Sequence, residues 1–105
     1  MMKIKTGDNV IVISGKNKGT TGKVVQVIWH PRKEAHYVVI DGVNMRKKHI
    51  RSGRHGEGQI IELPGPIHMS NVMFVEKSGK PTRVGYKQEG TTKKRVAKVS
   101  GEFID

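Results

Sequence analysis

The chain contains no cysteine, which excludes both a disulfide framework and a cysteine-ligated zinc site. Leucine and alanine are nearly missing, with Leu63, Ala35 and Ala97 the only examples against 13 valines and 10 isoleucines. Good helix formers are thus replaced by side chains stiff at χ1 that suit a pleated surface, so the composition is all-β. Long apolar runs are also lacking. The opening MMKIKTGDNV has no signal-peptide core, and nothing approaches the roughly 20 apolar residues that span a bilayer, so a cytoplasmic location is expected. No window has the 3.6-residue period of an amphipathic helix, which argues against a membrane-surface role. Acids are scarce: 9 Asp and Glu face 20 Lys and Arg, for a formal net charge of +11 over 105 residues. Self-repulsion on that scale calls for an anionic partner, nucleic acid or an acidic protein, and nucleic acid is the favoured one.

What the chain does have is punctuated β-branched runs. Asn9 to Ser14 and Lys23 to Trp29 read as strands flanking a basic, glycine-rich turn, with Gly15, Gly19 and Gly22 as turn residues and Lys16, Lys18 and Lys23 as cations beside them. After the polar turn HPRKEAH, a third strand runs from Tyr37 to the break at Gly42. Arg46 to Gln59 is a basic excursion ending in three glycines, and Gln59 to Leu63 returns from it, which predicts a projecting β-hairpin. Ile67 to Val75 carries two inward phases, Met69 and then Val72 and Phe74, that a break near Asn71 reconciles. The tail from Glu76 to Asp105 holds three turn signals separated by RVGYK and RVAKV, predicting two short strands with exposed cations. The length corresponds to one small domain that buries roughly two-thirds of its unfolded surface, too little for a large active-site cavity.

No enzymatic constellation emerges. In GTTGKV a P-loop fails twice, because Asn17 stands where its first glycine belongs and Val24 where its hydroxyl belongs. The five histidines lack closely paired ligand spacing, and Asp41, Glu57 and Glu62 join no recognised nucleophile motif, so neither metal nor other cofactor is expected. The basic clusters carry more. Arg46, Lys47, Lys48, Arg51 and Arg54 put five cations in nine residues with no acid among them, and Lys93, Lys94, Arg95 and Lys98 form another cluster, preceded by Lys80 and Arg83. Mixed Arg and Lys on glycine-rich turns suit irregular RNA backbone, whereas a merely solvated charge run would be balanced by acids. Trp29 could stack on a base, but it ends an apolar strand and reads as core, and no RNP consensus is present. Recognition by shape and phosphate position is therefore expected, not base-by-base reading.

VIVISGKNKGTTGKVVQV, Val10 to Val27, resembles a KOW motif, and VNMRKKHIR, PIHMSNVMFV, KPTRVGYK and RVAKVSGEFID follow in the order of the bacterial large-subunit ribosomal protein family numbered twenty-four. The resemblance covers essentially the whole chain. It implies a small SH3-like barrel with a projecting hairpin (46–59) within residues 1–63, and a C-terminal, rRNA-binding β extension at 64–105. It also implies a structural, non-enzymatic role on the ribosome: binding of large-subunit rRNA, help in initiating subunit assembly, and a hairpin near the polypeptide exit tunnel. Neighbouring ribosomal proteins, the nascent chain and exit-site factors are the further partners implied. By position, Lys16, Lys18 and Lys23, then Arg46, Lys47, Lys48 and His49, then Lys80, Arg83, Lys93, Lys94 and Arg95 would meet RNA. The competing reading is a transcription-elongation module, but such factors place a separate domain ahead of the KOW segment.

Overall fold

The computed structural model describes residues 3–52 and 57–104, with the side chains of 51, 52 and 57 also left aside. Its described elements are ten strands and one short 3-10 turn. Strands β1 (Asn9–Val12), β2 (Thr21–His30), β3 (Ala35–Ile40), β6 (Pro66–His68), β7 (Val72–Val75) and β8 (Pro81–Thr82) form one antiparallel sheet in the order β6-β3-β2-β1-β7-β8. Two further hairpins, β4 (Met45–Ser52) with β5 (Glu57–Pro64) and β9 (Val84–Glu89) with β10 (Thr92–Ala97), complete the fold.

The main sheet has to roll up. Laid flat, β6 and β7 would stand four strand spacings apart, about 19 Å, yet they are joined by the three-residue 3-10 turn Met69–Asn71, which covers about 6 Å. That turn is the expected break near Asn71, and the His68 side chain caps it by accepting from the Ser70 backbone N–H. The inward residues of the rolled sheet meet in one core: Val10, Val12, Val24, Val38, Ile40, Ile67, Val72 and Phe74, with Ile4, Val43 and Val84 from outside it. Each such buried side chain stabilises the fold by about 1.5–3 kcal/mol. In β2 the register shifts between Val24 and Gln26. The extra residue lets Val24 and Val27, three apart, both face the core while Val25 points to solvent.

Two sequence expectations change here. The expected boundary at 63/64 falls at the end of β5, ahead of β6 and β7, which pair with β3 and β1. Gly22 is not a turn residue but lies inside β2 opposite Val10. A Cβ there would come within 2.5 Å of Ile40 Cγ2 and 3.1 Å of the Asp41 carbonyl, so a close chain approach is what demands glycine. Trp29 is not core but 51% exposed. It follows the inward phase of Val27, but β2 outlasts β1, which pairs only with residues 21–23, so at Trp29 the strand has β3 beside it and no core beneath.

Candidate nucleic-acid interface

The β1–β2 loop is a tight backbone scaffold that leaves its cations outside. Gly19 N–H donates to the Val12 carbonyl at 2.8 Å, Val12 N–H to Thr20 at 2.9 Å and Lys18 N–H to Gly15 at 3.2 Å. Gly15 and Gly19 take φ of 92° and 90°, the left-handed region where a side chain is strained. Lys16 and Lys18 are exposed, and among the described residues neither has an ion-pair partner. Lys23, also exposed, pairs across β1 with Asn9 and helps line a groove of about 380 Å³ together with Gly79 of the β7–β8 turn. The structure thus brings the loop strand beside the turn that carries Lys80.

The β4–β5 hairpin lies apart from the main sheet, and its eight-pair register places its cations on both faces. Arg46 and Lys48 share a face with Leu63, Ile61 and Ile50, while Lys47 and His49 share the other with Glu62 and Ile60. All four basic groups are exposed, and the Arg46 side chain folds along Gly65 at the hairpin base, where a Cβ would sit 2.8 Å from its Nε. Arg51 belongs to β4 by backbone pairing with Gly58; its side chain and the whole of Arg54 fall outside the described residues.

The tail separates into free and committed cations. Lys80, Arg83 and Lys93 are exposed. Glu76 is Lys80's acidic neighbour: the Ser78 hydroxyl, donating at 2.7 Å, and Ser100 hold its carboxyl below the usual carboxylate range, and the Lys80 charge adds to this. Lys94 bridges to Glu89 at 3.2 Å and lies 5.9 Å from the Phe103 ring centroid. Arg95 is a correction to the expected interface. It is 4% exposed and gives Asp8 a two-point grip, Nη1 to Oδ2 at 2.6 Å and Nη2 to Oδ1 at 3.2 Å, while Nη1 also donates to the Lys3 carbonyl at 3.0 Å. Asp8 Oδ2 accepts the Lys5 backbone N–H as well, at 2.8 Å. A guanidinium so enclosed fastens β10 to the N-terminal segment and has no face left for phosphate.

Some basic neighbours escaped sequence reasoning. A groove of about 420 Å³ is lined by Lys3, Arg83 and Lys98 around Ile13, Met73 and Val84. Lys98 lies in the basic tail run, but Lys3 reaches it only through the tertiary fold, and no local pattern signals that. Arg32 and Lys33, which the sequence shows only as part of a polar turn, stand exposed between β2 and β3. Among the described residues no group of three or more His, Cys, Asp or Glu is placed to hold a metal ion, and no helix is long and apolar enough to cross a membrane.

Comparison with known proteins adds family evidence to this geometry. Residues 6–31 match the KOW motif and residues 43–104 match the model described as large ribosomal subunit protein uL24, C-terminal domain. A protein of Agrobacterium fabrum named large ribosomal subunit protein uL24 is 49% identical over 105 residues, covering 100% of this chain and 99% of its own. Proteins of the same name from Listeria welshimeri and Listeria monocytogenes are 50% identical over 106 residues, at 99% of both chains. Matched end to end at half identity and by a family model over most of its length, the chain belongs to the uL24 family of large ribosomal subunit proteins.

Proposed function

We propose that this large-subunit ribosomal protein is a structural, non-enzymatic component of the cytoplasmic ribosome that binds large-subunit rRNA by its phosphates and helps to initiate subunit assembly. The observation that carries the reading is the β1–β2 loop, where Lys16 and Lys18 stand exposed, without an ion-pair partner among the described residues, on a turn fixed by two left-handed glycines. Such a loop holds point charges close to an RNA backbone at little ordering cost. Lys23, Lys80, Arg83 and Lys93 extend the same chemistry over the body, and Arg46, Lys47, Lys48 and His49 carry it along the hairpin. Together they neutralise phosphates where RNA segments converge, which is how a small basic protein fixes an early assembly intermediate. The hairpin lies near the polypeptide exit tunnel, within reach of the nascent chain and of exit-site factors.

Filter binding of the full chain to a transcript of its own large-subunit rRNA tests this across a potassium chloride series. Lys16→Glu with Lys18→Glu should weaken binding and flatten the log K against log salt slope by about 1–2, with the thermal transition retained. Unchanged affinity and slope would remove the loop from the interface. For the exit-tunnel placement, a photo-crosslinker at His49 should capture nascent chain on translating ribosomes, and rRNA-only crosslinks would overturn it.

A further inference from the structure

The β2–β3 turn is the most unusual surface on the molecule. The only tryptophan in the chain stands there half in solvent, 51% exposed, although the chain has just five aromatic residues to spend on a core. Its exposure is built in. Trp29 pairs across the ladder with His36, whose ring packs against the indole at 4.9 Å and a 56° tilt, so one side of the indole is braced while the rest remains open.

The surroundings of that ring are charged. Pro31, Arg32, Lys33 and Glu34 make the turn, all exposed, with Glu34 held at φ 49°. On the opposite face of the sheet a second chain of rings runs across three strands: His30 to Tyr37 at 5.8 Å and Tyr37 to His68 at 5.2 Å. Lys33 Nζ lies 5.5 Å from the Tyr37 ring centroid, and Lys33 N–H donates to His30 Nδ1 at 3.3 Å, which anchors the turn to the ladder. The tip therefore offers a braced indole on one face of the sheet, Lys33 against the ring chain on the other, and an exposed Arg32 in the turn that joins them.

We propose that Trp29, braced by His36, is a stacking platform for an unpaired nucleobase of the ribosomal RNA, with the exposed Arg32 of the adjoining turn meeting the phosphate backbone. This rests on the rRNA-binding reading above and adds to it a contact of a different physical kind. An indole stacks on any base, so the site fixes a flipped-out or loop nucleotide without reading its identity. A protein partner fits less well. Interface tryptophans are anchored in water-excluded, apolar surroundings, whereas the tip around Trp29 is built of Arg, Lys, Glu and His.

Because Trp29 is the only tryptophan, its emission reports on this site alone. The test titrates the full-length protein with its large-subunit rRNA transcript at about 100 and 300 mM KCl, following emission and filter binding together. Emission should be quenched on binding, and Trp29→Ala should weaken affinity roughly 5- to 100-fold at both salt concentrations with the salt slope unchanged. Trp29→Phe should recover most of the loss, and thermal melts should show both variants folded. Binding with unmoved emission and full Trp29→Ala affinity would overturn the platform and leave the rRNA reading intact. Emission that responds only to added large-subunit proteins would assign the tip to a protein partner and likewise overturn it. Failure of the unaltered protein to bind the transcript at all would overturn both.

Discussion

At the scale of single residues, the strongest commitments are invisible in any local window. Asp8 and Arg95 are 87 positions apart, yet they form the buried two-point ion pair that ties the strand hairpin at the C-terminal end to the segment leading into the rolled sheet. In sequence, Arg95 is one more cation in KKR; only the tertiary fold makes it structural while leaving Lys93, two positions before it, exposed. Asp8→Ala strands an uncompensated guanidinium in the interior, so it should cost about 3–5 kcal/mol and lower the melting temperature by more than about 12 °C. Replacing both partners by apolar residues, Asp8→Leu with Arg95→Met, should recover most of that loss and leave rRNA affinity unchanged, as melting and filter binding would show. Gly22 makes a second point. Its place at the end of a glycine-rich basic run suggests a turn, but Gly22→Ala would press a methyl into Ile40 and the Asp41 carbonyl, costing about 1–3 kcal/mol by overpacking. Gly15→Ala meets nothing within 4 Å, so the penalty there comes only from its left-handed backbone, about 1–2 kcal/mol. A melt in which Gly22→Ala is silent would show that β2 can shift away from β3.

Elements were far more legible than residues, because strand formation here depends on local pattern. Runs of Val and Ile between glycines located β1, β2 and β3, and the Met69 against Val72 and Phe74 phase conflict located the turn between β6 and β7. What the pattern could not supply was the third dimension. Trp29 has the right phase for the core, but the sheet's width at that height is set by the short β1, and β8 is two residues long, too short to leave a signal. The β4–β5 hairpin was legible as an excursion, and the structure adds its exposed apolar side chains: Met45, Ile50, Ile60 at 62% and Leu63. A two-stranded ribbon with both faces open has little to hold it in water. Hydrogen exchange of the free protein should therefore find the β4 and β5 amides much less protected than those of β2 and β3, with protection rising on rRNA binding. Equal protection in the free state would mean that the ribbon is supported by packing beyond its own ladder.

For the whole molecule, charge and shape oppose compactness while favouring the partner. The extents of 59 × 29 × 22 Å give a radius of gyration of 16.8 Å, above the roughly 13 Å of a compact domain of this length, so cations are spread over a long surface instead of crowded on one face. Their mutual repulsion still reaches across the body at low ionic strength, since the screening length is about 30 Å at 0.01 M salt and about 10 Å at 0.1 M. The free protein should consequently melt higher as salt rises, with most of the gain between those two concentrations. The exposed Lys94–Glu89 bridge loses at most about 1 kcal/mol to the same screening, and the buried Asp8–Arg95 pair is largely beyond its reach. rRNA affinity must move the other way, because each neutralised phosphate releases counterions that salt makes costly to release. The loop reversal couples the two trends: each Lys→Glu change subtracts two charges, so Lys16→Glu with Lys18→Glu takes +11 to +7. That variant should melt higher than the parent at 0.01 M salt and respond less to added salt, while binding rRNA more weakly. Calorimetric melts of the two proteins over the salt series decide the matter, and a parent whose melting temperature falls with salt would show that its fold relies on surface ion pairs more than it suffers from excess charge.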